Sequence, residues 1–109
     1  MSEPESGAVI ARLEDVPMGE GRTFTVDGQQ IAVFRLRNGS LRALGAVCPH
    51  RGGPLADGLI DDEVVVCPLH GYAFDMSSGV EVSGTGMSAP VFPVSAIDGK
   101  VCLQSQNQP

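Results

Sequence analysis

The amino-acid sequence predicts an all-β domain of antiparallel strands, and three observations carry that reading. The turn-forming pairs Asp27-Gly28, Asn38-Gly39 and Asp98-Gly99 join short apolar runs that succeed one another about eight residues apart, the pattern of a meander. No segment of useful length repeats its apolar residues at the helical period. The 109 residues include 14 glycines, 8 prolines and no tryptophan, with 5% aromatic residues, a composition suited to many turns and short strands. A chain of this length makes one domain with a modest core.

In order along the chain, residues 1–7 are polar and read as a loose arm. Residues 8–13 form a first strand, closed by a turn-rich stretch that includes Pro17, Gly19 and Gly21. Residues 23–26 alternate polar with apolar and meet a return strand, 30–37, across Asp27-Gly28. Asn38-Gly39 repeats that hairpin signal and leads into a strand over 41–47. A turn at Asp61-Asp62 separates residues 58–60 from the run 63–66, whose consecutive valines read as a buried strand. Residues 72–75 follow, then a hairpin at Ser77-Ser78-Gly79. Residues 83–90, rich in Gly and Ser, make a loop. Residues 91–94 and 101–103 flank the last hairpin, and Pro93 places its strand at an edge or bulge.

The net charge of −6 speaks against nucleic acid or an anionic membrane as a partner, since both require a basic face, and it suits a partner with a basic docking patch. No apolar run approaches the roughly 18 residues of a membrane span. The first residues show neither the basic nor the apolar part of a signal peptide, so a soluble, cytoplasmic protein is expected. Three cysteines make an odd count, better explained by ligation than by a disulfide framework.

Two stretches hold the chemistry: Cys48-Pro49-His50-Arg51-Gly52-Gly53-Pro54-Leu55 and Cys67-Pro68-Leu69-His70-Gly71-Tyr72. Both histidines of the chain lie here, each just downstream of a Cys-Pro. Proline holds the residue before it in extended geometry, so each cysteine should sit where a strand gives way to its turn. The glycines beside the ligands would let backbone N–H groups approach an anionic sulfur. Two thiolates and two imidazoles suit zinc or an iron–sulfur centre. Zinc sites with this ligand count usually group like with like. Here each half supplies one of each, as suits a two-iron cluster with cysteines on one iron and histidines on the other.

These motifs resemble the Rieske pattern, Cys-x-His followed by Cys-x-x-His, and the likeness in strand and turn layout runs over residues 8–104. The resemblance implies a Rieske-type antiparallel β-sandwich with a small cluster-binding subdomain at about 46–75, and a polar tail over 105–109. It implies one Rieske-type 2Fe-2S cluster per chain, with Cys48 and Cys67 on the inner iron and His50 and His70 on the outer. High-potential relatives carry an extra cysteine in each turn, which would fall at Leu69 in the second. They also carry hydroxyl groups at the positions of Tyr72 and Phe74; phenylalanine has none to give, which implies a low potential. The branch implied is the ferredoxin type: a one-electron carrier between a flavin or NAD(P)H-dependent reductase and a larger oxidoreductase, with no turnover by the isolated chain. Its competitors are the small subunit of NAD(P)H-dependent nitrite reductase, bound tightly to its partner, and a zinc-stapled interaction module. Gly71-Tyr72 is nearer to ring-dioxygenase ferredoxins, while Cys-Pro-His-Arg-Gly-Gly-Pro-Leu is nearer to nitrite reductase small subunits.

Other residues have plainer readings. Cys102, between Val101 and Leu103, is expected to be a core thiol. Met76 and Met87 are expected to fill space, and Tyr72 to cover the site. Arg51 and the acidic group Asp57, Asp61, Asp62 and Glu63 suit either a docking rim or an ordinary hydrated surface.

Overall fold

The computed structural model describes residues 8–47, 54–61, 63–68 and 71–103; the arm, the tail beyond residue 103, Cys48, His50, Arg51 and His70 lie outside them. Among the described residues the strands are β1 (Ala8–Arg12), β2 (Gly21–Val26), β3 (Gln29–Arg35), β4 (Leu41–Gly45), β5 (Leu59–Asp61), β6 (Val64–Val66), β7 (Ala73–Asp75), β8 (Val91–Phe92), β9 (Val94–Ile97) and β10 (Lys100–Leu103). They form three antiparallel sheets with the orders β1-β10-β9, β2-β3-β4-β8 and β5-β6-β7. Among the described residues the helical content is two 3-10 turns, Leu13–Asp15 and Leu55–Asp57. The all-β expectation holds.

The second sheet is a wall shared by two cores. Successive side chains of a strand point to opposite faces, and all four residues of Ile31-Ala32-Val33-Phe34 in β3 are buried. Ile31 and Val33, with Leu41 and Ala43 of β4, pack against Val101 and Leu103 of β10 and against Val16. Ala32, Phe34 and Leu44 face the other way, toward Leu55, Val65, Cys67, Phe74 and Met76. Full burial of side chains such as Ile31, Phe34 and Leu44 contributes about 1.5–3 kcal/mol each, which makes this wall the main source of stability.

The turns follow their residue chemistry, with one difference. Asp27 and Gly28 have φ of 52° and 79°, the left-handed pair of a two-residue hairpin, and Val26 pairs with Gln29. Asp98 and Gly99 do the same, at 53° and 75°, between Ile97 and Lys100. At the Asn38-Gly39 turn only Gly39 is left-handed, at 92°. Its N–H donates to the Leu36 carbonyl at 2.8 Å, and the Leu36 N–H donates to Ser40 O at 2.8 Å. The loop is thus one residue longer, a type I turn closed by a glycine bulge, with Asn38 Oδ1 accepting the Ser40 N–H at 2.9 Å. For that reason β3 stops at Arg35 and not at residue 37.

Strand β4 also ends before residue 47. The Gly45 N–H turns to Pro90 O and the Ala46 N–H to Gln30 O, at 2.8 and 3.0 Å. Pro93, which lacks an N–H, stands between β8, at the edge of the second sheet, and β9, at the edge of the first. The chain crosses between sheets there, where no ladder hydrogen bond is lost.

Candidate metal centre

The third sheet delivers Cys67. Val65 at the centre of β6 is fully buried and registers with Phe74 of β7. Two residues on, at the strand end, Cys67 is 2% exposed. Its N–H donates to Tyr72 O at 2.8 Å, and its carbonyl accepts the Gly71 N–H at 3.1 Å, so the Cys-Pro turn is closed by backbone bonds on both sides. Gly71 has φ of 78°, and a Cβ there would meet nothing among the described residues. Glycine is required at this position by the left-handed backbone.

The first turn has a stem of the same kind. Val47 and Pro54 form an isolated bridge, and the Leu55 N–H donates to Ala46 O at 2.9 Å. Ala46, Leu55 and Cys67 all belong to one buried cluster with Phe74, Met76 and Ala89. The stems of both Cys-Pro turns therefore stand on a single core. Of the four expected ligands, Cys67 is described; Cys48, His50 and His70 lie outside the described residues, as do Gly52, Gly53, Asp62 and Leu69.

The plainer readings can be compared with their surroundings. Met76 is fully buried and Met87 packs half-buried against the same core, so filling describes both; Tyr72 also packs half-buried there. Cys102 is buried, on the face of β10 opposite Val101 and Leu103. Glu63 is no free member of an acidic rim. Its carboxylate accepts from Arg42 Nε and Nη2 at 3.0 and 2.7 Å and from Ser77 Oγ at 2.9 Å. The Arg42 hydrogen bonds, then that of Ser77, hold its carboxyl below the usual value.

One residue of this region escaped the sequence reading. Glu81 is 3% exposed and bridges Phe74, which puts a carboxylate on the inner face of the sheet. Its Oε1 accepts from Ser83 Oγ and Thr85 Oγ1, both at 2.8 Å, and from their backbone N–H groups at 3.0 and 3.3 Å. Burial alone would raise its pKa, but the four donors outweigh burial and the value lies below 4.5. A glutamate followed by hydroxyl residues two and four positions on was the available signal.

A sandwich bearing a short third sheet that ends in a buried cysteine turn, paired with a second Cys-Pro turn on the same core, has the build of a small iron–sulfur protein. The family model for the Rieske [2Fe-2S] domain matches residues 6–93, and the chain belongs to that family. A protein described as an NADH-dependent nitrite reductase small subunit from Mycobacterium tuberculosis superposes with a TM-score of 0.85 at 26% identity, covering 93% of this chain and 96% of that one. The ferredoxin component of the naphthalene 1,2-dioxygenase/salicylate 5-hydroxylase systems of Ralstonia sp is 32% identical over 63% of this chain and 65% of its own length. Cholesterol 7-desaturase nvd 1 of Ciona intestinalis is 41% identical over 52% of this chain. The chain spans only 12% of that desaturase.

The cofactor is thus a Rieske-type 2Fe-2S cluster. A buried thiol at the end of a packed strand, in a turn closed by backbone bonds, is a donor that fits such a cluster. When bound, the cluster supplies a one-electron redox centre. No helix among the described residues is long and apolar enough to cross a membrane.

Proposed function

We propose that the chain is a low-potential one-electron carrier in which Cys48 and Cys67 bind one iron of the cluster and His50 and His70 the other. The observation that supports this is the common footing of the two turns: Ala46 and Leu55, at the stem of the first, share a buried cluster with Cys67 of the second. Rigid stems on one core are what converging ligands require. Phe74, fully buried beside this turn, offers no hydroxyl to sulfur, which supports a low potential. Residues 8–104 form the domain and about 46–75 its cluster-binding part. A flavin or NAD(P)H-dependent reductase supplies the electron in the cytoplasm, and a larger oxidoreductase receives it. The isolated chain turns over no substrate.

The test is anaerobic reconstitution of the full chain. The expected product is brown, with two irons per chain as the Rieske cluster demands, and its visible absorption bleaches with dithionite. Voltammetry should place it in the lower part of the Rieske range of about −150 to +300 mV. The His70→Cys variant should keep iron and shift its spectrum toward that of an all-cysteine cluster. A colourless, zinc-loaded protein would reject the proposal.

A second reading, a tightly held small subunit of an NAD(P)H-dependent nitrite reductase, is favoured by the superposition over nearly the whole of both chains. Gel filtration with the partner separates the two: a permanent subunit co-elutes at stoichiometric ratio, whereas an exchanging carrier with a small, wet interface does not.

A further inference from the structure

The third sheet has two faces: among the described residues the inner one is buried, and the outer one leaves Leu59, Val80 and Val82 exposed and Val64, Val66 and Ala73 half-buried. Val65, Phe74 and Glu81 register side by side on the inner face. The alternate residues point outward. Leu59, Val66 and Ala73 stand opposite one another across β5, β6 and β7, and the Val82 N–H donates to Ala73 O, which extends the row. The next row holds Val64 and, through the Asp75 N–H to Val80 O bond, Val80. Leu59 is 77% exposed, Val82 55% and Val80 48%. Isolated exposed aliphatics need no explanation, but a contiguous patch on one sheet face does.

The charge on the face itself is acidic, while Arg22 and Arg37 stand at its β5 border beside Asp57, Leu59 and Asp61. Asp61 and Asp75 register on either side of Val64, and Asp57, which opens toward β5, is exposed. Of the carboxylates in this part of the chain, Glu63 is paired with Arg42 and Glu81 is buried on the inner face, which leaves Asp61 and Asp75 on the outer one. Two copies of the chain meeting through this face would bring carboxylates against carboxylates, which opposes self-association. The row Leu59-Val66-Ala73-Val82 also borders the cysteine turn. Val66 immediately precedes Cys67, about 3.3 Å of strand rise away, and Ala73 immediately follows Tyr72.

We infer that this outer face docks the redox partner, and that the partner presents an apolar patch bordered by lysines or arginines. The inference rests on the electron-carrier reading and adds where the partner sits and what its surface is. The apolar rows provide the contact and the aspartates the orientation, and a partner seated there meets the protein beside Cys67.

The experiment uses the reconstituted full chain, reduced with dithionite and mixed in stopped flow with oxidised cytochrome c, a lysine-rich haem protein, as the cationic probe. The double variant Leu59→Ser/Val82→Ser should lower the second-order rate about tenfold, as loss of a central apolar contact does. Asp61→Lys should lower it and flatten its decline with added salt. Ferricyanide, a small anion that needs no apolar contact, should oxidise the wild type and the Leu59→Ser/Val82→Ser variant at equal rates, and the visible spectrum and midpoint potential of that variant should not move. An unchanged cytochrome c rate in the double variant overturns the inference. So does a wild-type dimer in sedimentation that the double variant dissociates, because the face then belongs to a second copy. Wild-type protein with no dithionite-bleachable absorption defeats the carrier reading itself, which is a separate result from a bleachable protein with an insensitive face.

Discussion

The sandwich and the third sheet are held together by different means. In the sandwich, the seven-residue β3 buries side chains on both faces, Ile31 and Val33 into one apolar core and Ala32 and Phe34 into the other. The strands of the third sheet have three residues each. Their outer face is open, and their inner face includes the carboxylate of Glu81. Sheets this small do not hold by themselves. This one leans on the wall through Phe34 and Leu44, and polar clamps complete it: Arg42 to Glu63, and Glu81 to the loop beyond it. The contrast teaches that hydrophobic burial suffices for the base, whereas the third sheet, which ends at Cys67, depends on the base and on specific polar bonds.

The largest test of that contrast removes a ligand. Cys67→Ser should abolish the visible absorption and the bound iron, while far-UV circular dichroism retains the strand signal of the sandwich. Global unfolding of this variant would break the comparison. Ile31→Ala, in the wall, should cost about 2–5 kcal/mol in urea denaturation, to the same extent with and without the cluster. Gly79→Ala should cost about 1–3 kcal/mol, because Gly79 has φ of 80° and a Cβ there would run into the Ala89 carbonyl. Hydrogen exchange should confine that loss to the third sheet and the segment from 79 to 89, leaving β3 protected.

The smallest expected effect is the acid sensitivity of the Glu81 clamp. The folded-state pKa lies below 4.5, so the stabilisation is complete above that value and is lost as pH falls through the folded value. In an acid titration followed by NMR, the Ser83 and Thr85 amide resonances should shift with a midpoint below the pH at which an ordinary glutamate titrates. In Glu81→Gln the shift should be absent. An amide shift that begins well above that pH would show that the loop is held by something other than the carboxylate.

Much of this molecule was legible from residues alone. Asp27-Gly28 and Asp98-Gly99 specify their hairpins because left-handed backbone is local chemistry, carried by the residues that adopt it. Pro93 marks the edge because a missing N–H is a property of the residue. The paired Cys-Pro turns point to a cluster because thiolate and imidazole at that spacing suit few other purposes, and the family match bears out the cofactor. At Asn38-Gly39 the hairpin is legible but the end of its strand is not, since the pair serves more than one hairpin type and the choice lies in bonds to Leu36 and Ser40.

What remained depended on residues distant in the chain. The run Ile31-Ala32-Val33-Phe34 reads as buried, but its division between two cores is set by β10 on one side and the third sheet on the other. Glu63 reads as a surface carboxylate until Arg42, 21 positions earlier, is folded against it. Glu81 reads as exposed until Phe74 is paired beside it and the Ser83–Thr85 loop closes over its oxygens. Local propensity passes from a residue to its own backbone. Burial and charge pairing belong to neighbours that only the folded chain brings together.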